Sequence, residues 1–134
     1  MATLVDSNVL IDVLSQDREW VNWSRQALVE AGSEGPLVIN AVIYAEVSQR
    51  YSRKELLDHE LPEETFMREA IPWVAAFLAG KAFVEYRRRG GQRRSPLPDF
   101  FIGAHAAVAG LRLLTRDSGR YRTYFPTVDL VAPD

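Results

Sequence analysis

The chain has 134 residues, 47% of them hydrophobic and 25% charged, which excludes a largely disordered chain and suffices for one domain spanning residues 1–134. With no Cys and only His59 and His105, disulfides, thiolate metal sites and a Cys nucleophile are excluded and a multi-His site is disfavoured, so any metal would be held by oxygen. The formal charge of -2 divides unevenly: residues 1–86 carry seven Lys or Arg against fourteen Asp or Glu, whereas residues 87–134 carry nine Arg against four Asp, so a local basic face is compatible with an acidic total.

Thr3, Leu4 and Val5 read as a short buried strand, and Val9, Leu10, Val13 and Leu14 recur at helical spacing, which leaves Asp6, Ser7 and Asn8 as the turn between them. Ligand sites of open α/β sheets lie at such turns. A second helical segment, Trp20 to Ala31, is expected to break at Gly32, Ser33, Glu34, Gly35 and Pro36. Leu37, Val38 and Ile39 form the next strand. Asn40 can cap a helix from about Ala41 to Tyr51, whose apolar residues Val42, Ile43 and Val47 surround Glu46 and turn it toward the strand ends.

Lys54 to His59 predicts a short helix, and residues 60–72 show no clear strand, which leaves the strand count at four or five. Ile71 to Arg89 predicts a long helix with Pro72 in its first turn and a buried stripe of Val74, Phe77, Leu78, Ala82 and Tyr86. It ends at Gly90 and Gly91, and RRRGGQRRSPLP forms a basic loop leading to Asp99, placed to cap the helix Phe100 to Gly110. A strand over Arg112 to Thr115 follows, with Asp117 just past its end, then a helical turn over Ser118 to Tyr124 and a last strand over Val128 to Val131. Strands alternating with helices predict a three-layer α/β/α domain with a central, mostly parallel sheet and right-handed crossovers. No apolar run approaches the ~18 residues of a membrane helix and the N-terminus shows no basic region followed by an apolar stretch, so a cytoplasmic protein with no membrane partner is expected.

In such a sheet Asp6, Asp99 and Asp117, each at a strand end or helix start, share one edge with Glu46. Each acid alone has an ordinary explanation as a cap, turn or solvated helix residue. Together they would repel unless a cation joined them, and carboxylate and water oxygens suit Mg²⁺ or Mn²⁺.

The segments LVDSNVLID (4–12), INAVIYAEV (39–47), PLPDFFIGAHA (96–106) and LLTRD (113–117) together resemble the PIN-domain family, in particular its VapC-type toxins of toxin–antitoxin pairs. The resemblance spans nearly the whole chain in the family's order; residues 60–72 depart from it, because family members often carry a further short strand there. It implies a metal-dependent endoribonuclease acting as the toxin of a type II pair. Asp6, Glu46, Asp99 and Asp117 match the family's acidic positions, and Asn8 and Thr115 match supporting polar ones. It also implies an RNA substrate, a cognate antitoxin and a homodimer. One or two Mg²⁺ or Mn²⁺ ions would activate water for attack on a phosphodiester. Asp6 and Asp99 are the first choices for direct ligands, while Glu46 and Asp117 bind directly or through water, or one of them orients the nucleophile.

Arg87, Arg88, Arg89, Arg93 and Arg94 precede Asp99 and are candidates for RNA binding, since an anionic substrate needs cationic guidance past four acids. Asp12 is expected to face away from Asp6, and His105 to be a packed or surface residue rather than a base. Trp20, Trp23, Tyr44 and Tyr51 are candidates for an aromatic interface. The alternatives are another Mg²⁺-dependent nuclease or phosphatase, and a non-catalytic PIN-like binding module. No Gly-rich phosphate loop or Ser/His/Asp ordering is visible.

Overall fold

The computed structural model describes residues 1–95 and 97–133; Pro96, in the proline-punctuated loop, and Asp134 lie outside the described residues. Five short strands, β1 (Thr3–Val5), β2 (Leu37–Ile39), β3 (Phe66–Arg68), β4 (Arg112–Leu114) and β5 (Leu130–Val131), form one sheet. Its order is β3-β2-β1-β4-β5 and every pairing is parallel. β1 and β2 are buried along their whole length, as is Leu113–Leu114 of β4. Parallel strands covered by helices on both faces give such unbroken apolar runs. From β1 the chain works outward to β2 and β3, then returns to the other side of β1 for β4 and β5. The C-terminal ends of β1 and β4 therefore form the point where the strand order reverses.

The helices are α1 (Ser7–Leu14), α2 (Val21–Glu34), α3 (Ala41–Ser48), α4 (Lys54–Glu60), α5 (Trp73–Arg88), α6 (Pro98–Ala109) and α7 (Gly119–Tyr124). They flank the sheet in an α/β/α arrangement. Asn40 caps α3 by accepting from the Ile43 amide at 2.9 Å, as its position after β2 predicts. Gly110 ends α6 with φ 67°, a left-handed conformation that favours glycine.

The strand count, left at four or five, is five, because β3 lies within residues 60–72. It is an edge strand of three residues with Met67 and Arg68 exposed, too short for alternation to show and half too polar for an apolar run. α2 runs through Gly32 to Glu34, since a single helical Gly costs only about 1 kcal/mol. α3 is shorter than predicted, ending at Ser48. Pro72 is the residue before α5 rather than part of its first turn.

The buried stripe of α5 is the main revision. Val74 and Phe77 are 66% and 67% exposed, and the side turned inward carries Ala75, Ala79 and Ala82, with Leu78, Phe83 and Tyr86 partly buried. The reason is the neighbour: α5 packs principally on α6, and Phe83 and Tyr86 seat on the Phe100 ring of α6, which turns Ala75, Ala79 and Ala82 inward with them. Trp73, Val74 and Phe77 are left on the outer face.

Candidate active site

Asp6 directly follows β1 and its amide donates to the Leu114 carbonyl of β4 at 2.9 Å, so the carboxylate is held at the strand-order reversal. It is the residue before α1. Its Oδ1 accepts from the Ser7 amide at 2.7 Å, and its Oδ2 accepts from the hydroxyls of Thr115 and Tyr121, each at 2.8 Å. The side chain is buried. Burial pushes its pKa up to about 6 despite these hydrogen bonds, with the Asp99 charge adding to the rise.

Asp99 stands inside the first turn of α6, after Pro98 and with Leu97 as the preceding residue. It is therefore not the cap the sequence suggests; Pro98 takes the first helical position. Its Oδ1 accepts weakly from Tyr121 Oη at 3.4 Å, and its Oδ2 pairs with Arg120 Nη1 at 3.1 Å. Asp6 and Asp99 thus face each other across one hydroxyl. Glu46 reaches the same place from α3, its Oε1 accepting from Ser7 Oγ at 2.8 Å. Partial burial, and the negative charge of Asp99, raise its pKa as well.

The structure brings Asp6, Glu46 and Asp99 together and sets Asp117 at the rim. Asp117 is exposed, its amide donating to Thr115 Oγ1 at 3.1 Å. With Asp99, Arg120, Tyr86 and Tyr124 it lines a cleft of about 330 Å³. Asn8 links the turns after β1 and β4: its Nδ2 donates to Thr115 Oγ1 at 3.3 Å and its Oδ1 accepts from the Arg116 amide at 3.1 Å.

Among the described residues, no three Asp, Glu or His side chains already converge tightly enough to hold one ion. The Tyr121 hydroxyl lies between Asp6 and Asp99, and Arg120 covers the outer oxygen of Asp99. The donor set nevertheless fits a hard divalent cation, being entirely oxygen, and the negative charge of Asp99 adds to the burial that raises the pKa of both Asp6 and Glu46.

Three residues of this site were not singled out by sequence reasoning. Tyr121 is buried, with its own pKa raised well above the usual range by burial and by Asp6. In the sequence it is one aromatic among several in a short helical turn. Arg116 makes a bidentate pair with Asp12 at 2.7 and 3.0 Å and stacks over Trp20; Asp12 also accepts from Ser24 Oγ at 2.8 Å. Asp12 thus faces away from Asp6, as expected, and anchors the turn that carries Thr115 and Asp117. Arg120 is the third. Its signal would have been helical spacing from Asp117, which does not reveal a partner on α6.

Arg87 donates to the Arg93 carbonyl, Arg88 and Arg89 pair with Glu85, and Arg89 lies over the Tyr124 ring. Arg87, Arg88, Arg89, Arg93 and Arg94 are exposed, and Arg89 reaches the cleft edge through Tyr124. His105 is fully buried, with Nδ1 against Asn40 Nδ2 at 3.0 Å, and burial lowers its pKa. It packs and does not serve the acids. A larger cleft of about 500 Å³ lies over the β2–β3 side, near Tyr44, Lys54 and Arg68. Those polar groups are already joined through Asp58, whereas Asp99 and Asp117 line the smaller cleft.

A family model described as PIN domain matches residues 3–126. A comparison with curated proteins gives no match. Among solved structures, VapBC2 from Rickettsia felis bound to a promoter DNA fragment is similar, with a TM-score of 0.75 at 16% identity and full coverage of both chains. VapBC-1 from nontypeable Haemophilus influenzae gives 0.73 at 18% identity, covering 98% of each chain. A toxin–antitoxin complex from Klebsiella pneumoniae gives 0.66 at 26% identity, again over 98% of each chain.

Proposed function

The chain belongs to the PIN-domain family, a family of metal-dependent nucleases, and from that premise we propose that it is a divalent-metal endoribonuclease acting as the toxin of a type II toxin–antitoxin pair. The observation that carries the reading is the juxtaposition of Asp6, Glu46 and Asp99 at the strand-order reversal, in a chain whose structural relatives are solved as toxin–antitoxin complexes. The whole chain, residues 1–134, is taken as one such domain, working in the cytoplasm. No helix among the described residues is long and apolar enough to cross a membrane.

Asp6, Asp99 and Glu46, with Asp117 from the rim, are the residues that would hold Mg²⁺ or Mn²⁺. When bound, such an ion supplies Lewis acidity and makes water nucleophilic near neutral pH. The protein's own part is positional. Thr115, Ser7 and Tyr121 fix the orientation of Asp6, and Ser7 ties Glu46 to it. Asn8 and the Asp12–Arg116 pair hold the second turn in register with the first. The exposed arginines at the end of α5 give the substrate phosphates a cationic approach.

A cognate antitoxin and a second copy of the chain complete the proposed assembly. The outer face of α5 offers apolar surface for self-association, with Trp73 90% exposed beside Val74 and Phe77. The decisive experiment compares RNA ends in cells expressing the wild type, Asp6→Asn or Asp99→Asn, alongside cleavage of RNA, DNA and small phosphate esters by purified protein with Mg²⁺ or Mn²⁺. We expect RNA cleavage by the wild type and none by folded Asp6→Asn. Full activity of that variant overturns the site; preference for DNA or esters overturns the substrate class.

A further inference from the structure

Arg120 is ion-paired to a residue of the acidic site itself. Its guanidinium meets Asp99 Oδ2 at 3.1 Å, both side chains being partly exposed, at 38% and 35%. It also lies over the rings of Tyr86 and Phe100, 5.7 and 5.9 Å from their centroids. The other arginines near the site are engaged differently: Arg116 is bound in a fork to buried Asp12, and Arg88 and Arg89 pair with Glu85. A half-exposed single-contact pair is weak, so a divalent ion can take Asp99 from it. The aromatic seat does not depend on Asp99 and would keep the guanidinium in the cleft when that happens.

We propose that Arg120 is the built-in counter-ion of the acidic site and its phosphate-binding residue in turn. It neutralises Asp99 while no divalent ion is bound, gives that carboxylate up on loading, and then presents a bidentate fork to a phosphate in the same cleft. The inference rests on the reading of Asp6 and Asp99 as metal ligands. It explains why three acids approach one another without closing into a ligand set: one of them is held by a cation of the protein. A planar guanidinium freed from a carboxylate matches a phosphate's oxygens equally well. Because its carrier α7 also bears Tyr121, which donates to both Asp6 and Asp99, release of Arg120 and rearrangement around Asp6 can occur in one short helix.

The test is direct titration of Mn²⁺ by electron paramagnetic resonance on the wild type, Arg120→Met, Arg120→Lys and Asp6→Asn, with circular dichroism to confirm folding. Arg120→Met should bind Mn²⁺ about threefold to tenfold more tightly, because a competing cation is gone, and Arg120→Lys should stay near the wild type. Phosphorus-31 relaxation by the bound Mn²⁺ then reads inorganic phosphate as a probe, and Arg120→Met should lose phosphate affinity severalfold. Equal or weaker Mn²⁺ binding by Arg120→Met overturns the counter-ion role, and unchanged phosphate affinity overturns the phosphate role. If Arg120→Met does not fold, Arg120→Gln takes its place under the same criteria. Failure of the underlying reading looks different: Asp6→Asn would then bind Mn²⁺ as well as the wild type, or the wild type would bind none.

Discussion

Asp6 is held by three short hydrogen bonds yet remains an expensive charge, because they do not offset its burial. Its folded pKa, about 6, lies above the ordinary carboxylate value, so the folded protein holds that proton more tightly than the unfolded chain does. The stability Asp6 contributes is therefore complete below about pH 4 and is lost as pH rises through about 6, by up to about 3 kcal/mol. In metal-free protein, Asp6→Asn should match the wild type near pH 4 and exceed its unfolding free energy by up to that amount near pH 7.5. Urea unfolding of both proteins in EDTA across that range measures the difference; a constant gap would show that Asp6 is not the group under strain. Metal binding should oppose the same loss, since a cation stabilises the ionised carboxylate. Asp6 was recognisable from its place between an apolar triplet and a helical repeat. Tyr121 was not, because nothing local to it indicates a carboxylate 115 positions away.

Two glycines in neighbouring helices separate packing requirements from helix propensity. A β-carbon at Gly103, in α6, would press into the Phe125 ring, whereas one at Gly80, in α5, meets nothing within 4 Å. Gly103→Ala should therefore destabilise the protein by about 1–3 kcal/mol through overpacking. Gly80→Ala should stabilise it by up to about 1 kcal/mol. Thermal melts placing the three proteins in any order other than Gly80→Ala, wild type, Gly103→Ala would refute the tight seat of Gly103 on Phe125 and the open surroundings of Gly80. The face of α5 that is buried differs from its predicted stripe at Val74 and Phe77. Apolar periodicity places Val74 and Phe77 on a plausible inner face, but the seat of Phe83 and Tyr86 on Phe100 of α6 selects the alanine side instead.

At the scale of the molecule, charge and apolar surface are separated. The five arginines around the end of α5 are exposed, and Arg89 lies over Tyr124 at the edge of the acidic cleft. Neutralising Arg93 and Arg94 should weaken RNA binding at low salt and reduce the slope of log affinity against log salt by about 1–2. An unaltered slope would place the phosphate contacts elsewhere. The exposed Trp73, Val74 and Phe77 lie toward the other end of the same helix. If this face joins two copies, Phe77→Glu should sediment as a folded monomer where the wild type sediments as a dimer, and identical sedimentation would remove α5 from the interface.

Most of the elements and the acidic residues are legible in one dimension, because those signals are local: apolar triplets, Asn40 as a cap, Gly90 and Gly91 as a stop, and acids at element boundaries. The parallel α/β class followed from their alternation. The pairing of β3 as a fifth strand, the buried face of α5 and the freedom of Asp99 from capping follow from the folded chain alone. It alone brought Arg120 and Tyr121 to the acids. Each of these depends on contacts between segments distant in the chain, where pairing, close packing or charge overrides local preference. Asp6 and Asp99 could be read as a site from one dimension; the groups that hold them apart became visible only in three.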